Sequence, residues 1–331
     1  MNGTNEKRQE ENISMEELAG LFAGLRREIG KVVIGQEEII DQMLIGFFAS
    51  GHLLITGVPG LAKTLVIKTL SRSLAMNFNR VQFVPDLMPS DIIGSEVIRD
   101  NLKEGTKEFV FRPGPIFTNI FMADEINRAS PKTQSALLES MQEHRVSIGG
   151  NTYEVGSPFA VFATQNPLEF EGTYPLPEAQ LDRFLMSILI SYPDKADEVA
   201  IATAKGFEGL GACKTVMGGS EVLAIQSAVK EIPVATHLVE KTVDLVRKSR
   251  PDNPESPKEI RQYLKWGAGP RAAQALIKAA KASALIDGRF NVSEEDISKC
   301  LLPVMRHRII LNYKADADKV SPDDILALLV K

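Results

Sequence analysis

The chain has 331 residues, 44% of them apolar and 24% charged, with a net charge of −5. That length is enough for a sizeable core and two domains, and the composition is that of an ordinary globular protein. The acidic balance gives no electrostatic reason to expect nucleic-acid binding, no apolar run is long enough to span a bilayer, and Cys213 and Cys300 lie far apart without metal-ligand spacing.

Residues 1–12 are polar and mixed in charge, without the apolar run of a signal peptide, and are expected to form a disordered tail. A cytoplasmic location follows by elimination, with the two cysteines as free thiols. Residues 15–29 are amphipathic, with Ser14 as N-cap and Glu16 and Glu17 in the first turn. Val32-Val33-Ile34-Gly35-Gln36 is a short apolar turn, and a second helix covers 37–49. Short apolar runs then occur at 53–56, 81–83, 120–123, 159–164 and 186–190. Bounded by turn residues and separated by helical segments, they predict five buried parallel strands with helical crossovers.

Two stretches interrupt the alternation. Residues 91–117 carry Gly94, Gly105, Pro113, Gly114 and Pro115, and residues 145–155 form a hairpin turning at Gly149-Gly150-Asn151. Both have the character of insertions. After Pro193 no strand run persists, and helical periodicity covers 195–205, 220–232, 236–248, 270–286 and 293–309. Ser293 with Asp296 marks a helix start. The expected organisation is an α/β domain over 13–192 and a smaller all-α domain over 193–331.

The run Leu53-Leu54-Ile55-Thr56 leads into Gly57-Val58-Pro59-Gly60-Leu61-Ala62-Lys63-Thr64 and then, from Leu65, a helix through Leu74. Strand, loop and helix in this order are the context of a phosphate-binding loop, whose generic form is Gly, four residues, Gly, Lys, then Ser or Thr. Gly57 and Gly60 let backbone N–H groups converge on phosphate oxygens. The helix N-terminus adds its positive end, Lys63 its charge, and Thr64 a hydroxyl for Mg²⁺. Ala62 replaces the second glycine of the pattern, which costs little if its φ and ψ are helical. Without further signals the same loop could merely cap a helix.

Ile120-Phe121-Met122-Ala123-Asp124-Glu125 is an apolar strand ending in two carboxylates. In a phosphate-loop enzyme Asp124 supports Mg²⁺, and Glu125 polarises the water that attacks the γ-phosphate. A kinase would present an acceptor hydroxyl there, so adjacent acids favour hydrolysis over transfer. Standing alone, the pair reads as a solvated acidic turn.

Taken together, Gly57 to Thr64 and Asp124-Glu125-Ile126-Asn127-Arg128-Ala129 resemble the MoxR family of AAA+ ATPases, in which alanine before the lysine is usual. Further segments resemble that family in order: Val33-Ile34-Gly35-Gln36-Glu37, Gln82-Phe83-Val84-Pro85-Asp86-Leu87-Met88-Pro89-Ser90-Asp91, Ala163-Thr164-Gln165-Asn166-Pro167, Gly172-Thr173-Tyr174-Pro175-Leu176-Pro177-Glu178-Ala179-Gln180-Leu181-Asp182-Arg183-Phe184, and Gly267-Ala268-Gly269-Pro270-Arg271-Ala272. The resemblance covers the chain from about Gln36 to its C-terminus. It implies a five-stranded parallel AAA+ sheet sandwiched by helices, followed by a helical lid. ATP and Mg²⁺ are the implied cofactors. Ile34 and Gly35 would contact adenine, and Gly57, Val58, Pro59, Gly60, Leu61, Ala62, Lys63, Thr64 and Leu65 the phosphates. Asn166 would hold the attacking water through its amide. Arg271 would reach the γ-phosphate from the lid. Arg183 would act on the nucleotide of a neighbouring subunit, with Arg128 as the runner-up.

An arginine acting in trans implies a head-to-tail ring, six subunits in this family, because a heterologous interface that closes makes a cyclic oligomer. The resemblance implies chaperone-like remodelling of partner proteins, often ones with a von Willebrand factor A domain. A metal-chelatase ATPase subunit, a nucleic-acid motor and a nucleotide-gated binding module are the alternatives. The motor is disfavoured by the acidic charge and the lack of a basic, aromatic groove pattern, and the binding module by the complete set of catalytic positions.

Overall fold

A computed structural model describes residues 15–101, 106–169, 172–203 and 209–330. The expected tail, the Ser14 cap and the end of the helix at 195–205 lie outside the described residues. The chain begins with α1 (Met15–Gly30) and α2 (Glu37–Phe48). Leu18, Phe22, Leu25 and Ile29 recur every three to four residues and are buried, the single apolar stripe of a helix lying on a core. Phe22 meets Phe48 edge to face, with ring centroids 5.0 Å apart.

The α/β half continues with β1 (Leu53–Thr56), α3 (Lys63–Ser73), β2 (Phe78–Gln82), α4 (Pro89–Ile93), β3 (Gly94–Asn101), β4 (Thr106–Pro113) and β5 (Ile120–Asp124). Then follow α5 (Pro131–Glu143), β6 (Arg145–Ile148), β7 (Asn151–Glu154), β8 (Ala160–Gln165), α6 (Glu178–Leu181) and β9 (Met186–Leu189). Five strands make one parallel sheet in the order β2-β5-β8-β1-β9. The central strands are buried on both faces, which is why they appear in the sequence as unbroken apolar runs. The edge strand β2 begins at Phe78 rather than Val81. Its alternating, half-exposed Phe78-Asn79-Arg80 has no such run.

Both insertions are antiparallel hairpins, β3 with β4 and β6 with β7. They dock on each other: the ring of Phe111 stacks on Tyr153 at 4.0 Å, and the Glu96 carboxylate lies against Gly149 in the β6–β7 turn.

The C-terminal half contains α7 (Lys195–Thr203), α8 (Gly209–Ala212), α9 (Gly219–Glu231), α10 (Thr236–Lys248), α11 (Lys258–Tyr263), β10 (Leu264–Trp266), α12 (Pro270–Ile286), α13 (Glu294–Met305), β11 (Ile310–Leu311), α14 (Tyr313–Ala317) and α15 (Pro322–Leu326). The expectation of no strand beyond Pro193 is corrected by the antiparallel pair of β10 and β11. At three and two residues, these strands are too short to show a period. The helix expected over 293–309 ends at Met305 for the same reason, since the chain must turn into β11.

The helical half does not stand apart from the sheet. Seven buried alanines on α12 (272, 273, 275, 279, 280, 282 and 284) keep its surface low, so neighbouring helices approach closely. One continuous core runs from α1, α2 and β1 into α12 and α13. Edge strand β9 is covered there: Arg306 donates to the Ser187 carbonyl at 2.7 Å and forks onto Asp323 at 2.9 and 2.8 Å. Among the described residues, no single helix is long and apolar enough to cross a membrane.

His52, just before β1, ties three elements together. Its Nε2–H donates to the Met141 carbonyl of α5 at 2.9 Å, and its Nδ1 accepts from the Val161 N–H of β8 at 3.0 Å. Burial holds the ring neutral, lowering its pKa from 6.5 to about 4. The unfolded chain therefore binds a proton that the folded chain refuses between those values. His52 contributes about 3 kcal/mol above pH 6.5, lost progressively as the pH falls toward 4. His307 is shifted in the same direction by burial, so the effect of His52 must be read as a difference between two chains. Denaturant unfolding at pH 7 and pH 4.5 should show a flatter pH profile for His52→Gln than for the unmodified chain. Parallel profiles would show that this ring does not titrate with unfolding.

Candidate functional site

The carboxyl edge of the sheet gathers most of the residues singled out in the sequence. The loop after β1 turns where the N–H of Gly57 donates to the Gln165 carbonyl at 3.3 Å. A Cβ on Gly57 would sit 2.9 Å from the Ile190 carbonyl oxygen, so no larger residue fits this approach to the chain after β9. Lys63 opens α3, and its ammonium returns to donate to the Gly57 carbonyl at 2.5 Å. Partial burial lowers its pKa, while the charges of Asp124, Glu125 and Glu169 act the other way. The charges of both strand-end acids thus act on the lysine.

Ala62 has φ 54° and ψ 18°, a left-handed conformation, which corrects the expectation of helical dihedrals. An L-residue pays roughly 1 kcal/mol there, a cost that glycine would avoid. The Ala62 carbonyl nevertheless accepts the first helical bond, from Val66 N–H at 3.0 Å.

Asp124 is 7% exposed, and both of its oxygens are engaged. Thr164 Oγ1–H donates to Oδ1 at 2.5 Å, and Arg80 reaches Oδ2 through Nε at 2.9 Å and Nη2 at 2.5 Å. Glu125 is also left-handed, at φ 56°. Its N–H donates to Thr164 Oγ1 at 2.9 Å. Its Oε2 accepts from Gln82 Nε2 at 2.7 Å and from Arg128 Nη1 at 3.0 Å. Arg80 Nη2 also donates to Gln82 Oε1 at 3.1 Å, closing the network. Arg128 thus belongs to its own chain's acidic site, held by Glu125, which raises its pKa.

Arg80, Gln82 and Thr164 were not singled out as site residues. Arg80 and Gln82 are two apart on β2, so both point to the face on which Gln82 pairs in register with Asp124. The missed start of β2 concealed this signal.

Asn166 follows β8, between the acids and the loop, and is 4% exposed. Its Oδ1 accepts from Leu168 N–H at 3.1 Å, leaving the amide N–H groups as its unassigned donors. Gly35 has φ 70°, and a Cβ there would lie 2.1 Å from an Asp197 carboxylate oxygen, so α7 rests directly on this turn.

Arg183 and Arg271 lie elsewhere. They precede or face the amino end of β9, where Leu185 N–H pairs with the His52 carbonyl at 2.8 Å. The length of β1, roughly 13 Å, separates this corner from the phosphate loop. Arg183 pairs with neither Asp182 nor Glu178. It donates to the Leu138 carbonyl at 2.7 Å and lines a cavity of about 560 Å³ with Glu139, Gln142, Arg145, Thr152 and Gln180. Arg271, at the start of α12, faces Asp182 at 3.6 Å. Within one chain, neither arginine is brought to Lys63.

The donor chemistry fits Mg²⁺ arriving with a nucleotide. Thr64 offers a hydroxyl and Asp124 a carboxylate, hard oxygens of the kind the ion takes alongside phosphate. Among the described residues, no group of three His, Cys, Asp or Glu could hold a metal unaided. Cys213 and Cys300 are buried and unpaired.

The model of the ATPase family associated with various cellular activities matches residues 52–186, and that of the AAA lid domain matches residues 258–329. Chaperone MoxR1 of Mycobacterium tuberculosis is 42% identical, over 90% of this chain and 78% of its own length. Protein MoxR of Paracoccus denitrificans is 31% identical, over 88% of this chain and 89% of its own. The solved structure of a Cytophaga hutchinsonii protein assigned as an ATPase superposes with a TM-score of 0.86 at 39% identity, covering 96% of this chain and 95% of that one. With this phosphate loop and acidic strand end on a β2-β5-β8-β1-β9 sheet, and with relatives matched along nearly the whole chain, the protein belongs to the MoxR family of AAA+ ATPases.

Proposed function

We propose that the chain binds ATP with Mg²⁺ at residues 57–64 and hydrolyses it within a head-to-tail ring, and that this cycle drives the remodelling of partner proteins. The observation that carries this reading is the convergence of Lys63, Asp124, Glu125 and Asn166 on one sheet edge, with Arg183 and Arg271 a strand length away. The first group makes a nucleotide site whose own arginines, Arg80 and Arg128, are already bonded to Asp124 and Glu125. The second presents arginines that lack a nucleotide.

Lys63 and the loop N–H groups would hold the phosphates, Ile34 and Gly35 would flank adenine, and Thr64 and Asp124 would hold Mg²⁺, which when bound would neutralise phosphate charge. Glu125 takes a proton from the attacking water as Asn166 orients that water through its amide N–H. Gln82 and Arg128 position the Glu125 carboxylate. Arg183 and Arg271 of an adjacent subunit stabilise charge on the transferring phosphoryl group, a role worth orders of magnitude in rate. The name of the mycobacterial relative supports a chaperone-like role. A hexamer acting on a partner with a von Willebrand factor A domain, in the cytoplasm, completes the proposal.

Lys63→Ala should weaken ATP binding roughly a hundredfold, since the phosphate charge loses its closest cation. Calorimetric titration with ATP checks this, and unchanged affinity would remove residues 57–64 from the site.

Glu125→Gln should bind ATP as the unmodified chain does and turn it over at least about a hundredfold more slowly. Phosphate release measures the loss; ordinary turnover excludes Glu125 from proton transfer.

Arg183→Ala and Glu125→Gln chains, each nearly inactive alone, should regain turnover when mixed. Each mixed interface can join an intact acid to an intact arginine. No recovery in mixed assemblies verified by mass would refute action in trans.

A further inference from the structure

Arg308, just beyond α13, is 4% exposed and uses every N–H of its guanidinium. Nε donates to Asp182 Oδ1 at 2.8 Å. Nη1 donates to the carbonyls of Leu185, at 3.1 Å, and Val304. Nη2 donates to those of Phe184, at 2.6 Å, and Asp182, at 3.5 Å. A guanidinium saturated in this way, inside the junction of lid and sheet, has one orientation. The neighbouring His307 adds an Nε2–H bond to the Phe184 carbonyl at 3.0 Å.

Asp182 inherits that rigidity. Its Oδ1 belongs to Arg308, and its Oδ2 is directed at Arg271 Nη1, 3.6 Å away. The Arg271 side chain is 64% exposed, so apart from this carboxylate it is free to sample solvent. Arg183 is the next residue in the chain, with its own guanidinium steadied by the Leu138 carbonyl. Arg308 is bonded to only one of the two carboxylate oxygens. The second oxygen is left to act on the exposed arginine beside it.

We propose that Asp182 is a positioning residue: anchored by buried Arg308, its carboxylate sets Arg271 beside Arg183, so that one subunit presents two arginines to its neighbour's nucleotide as a single unit. This rests on the reading that Arg183 and Arg271 act in trans. Asp182 touches no substrate; its effect is on the orientation of Arg271, and it belongs to the subunit that donates the arginines.

The test measures ATP turnover of full-length chains, alone and mixed with Glu125→Gln chains. Asp182→Asn should lower kcat about tenfold with little change in KM, the pattern of lost alignment rather than lost binding. Adding Asp182→Asn to Arg271→Ala should cause no further loss, because the carboxylate then has nothing to position. Mixing Asp182→Asn with Glu125→Gln should restore turnover, as mixing Arg183→Ala with Glu125→Gln does. If Arg183→Ala is complemented and Asp182→Asn is not, the positioning role is overturned while action in trans stands. If neither is complemented, action in trans itself fails. Additive losses in the double variant, or a rise in kcat on removing the carboxylate, also overturn the proposal. Should Asp182→Asn leave Arg308 too costly to bury, Asp182→Asn with Arg308→Gln removes both charges together. That folded chain should show the same fall in kcat at constant KM, and an unchanged kcat would overturn the proposal.

Discussion

Two adjacent carboxylates at the end of a buried strand set the terms for the rest of the site. Asp124 loses most of its water on folding, and a carboxylate can do so only if cations and hydrogen bonds replace it. Arg80 and Thr164 provide that replacement for Asp124, and Gln82 and Arg128 do so for Glu125. The compensation depends on strand register. Gln82 lies opposite Asp124, and Ala163 opposite Ala123, so Thr164 arrives beside the acid. A slip of one residue in β2 would turn Arg80 and Gln82 to the other face of the sheet. The packing that aligns the strands and the electrostatics that permit the acids are therefore one constraint.

The opposite corner answers a different requirement. An edge strand exposes unpaired backbone groups, and β9 has its free side covered by the helical half. Arg306, His307 and Arg308 deliver donors to carbonyls from Phe184 to Ser187. This covering fixes α12 so that Arg271 opens toward Asp182 and away from Lys63. The division of the candidate site into two separated groups follows from how the edge is closed.

The parts legible in the sequence were those with a local signature. The phosphate loop, the acidic strand end and the central strands each consist of contiguous residues whose order carries the chemistry. The start of β2 was not legible, because an edge strand alternates and its polar residues resemble a loop. The β10–β11 pair was too short to have a period. The left-handed Ala62 could not be inferred from residue type, since an alanine gives no sign of positive φ. Arg308 with Asp182 could not be found either: 126 residues separate them, and each looks like an ordinary surface charge until the fold buries one of them.

Thr164 carries more of the site than its place in the Ala163–Pro167 segment suggests. The sequence reading placed the chemistry of that segment on Asn166, whose carbonyl oxygen caps its own turn. Thr164 is fully buried, and its single hydroxyl donates to Asp124 while accepting from the Glu125 N–H. That N–H belongs to a residue in left-handed geometry, a conformation costing on the order of 1 kcal/mol unless its surroundings enforce it. The bond to Thr164 is one such enforcement. It turns the backbone after Asp124 so that consecutive acids project differently, one toward Arg80 and the other toward Gln82 and Arg128. A strand continuing in regular geometry would have sent the second carboxylate to the opposite face. Thr164 therefore helps two neighbouring acids to serve one site.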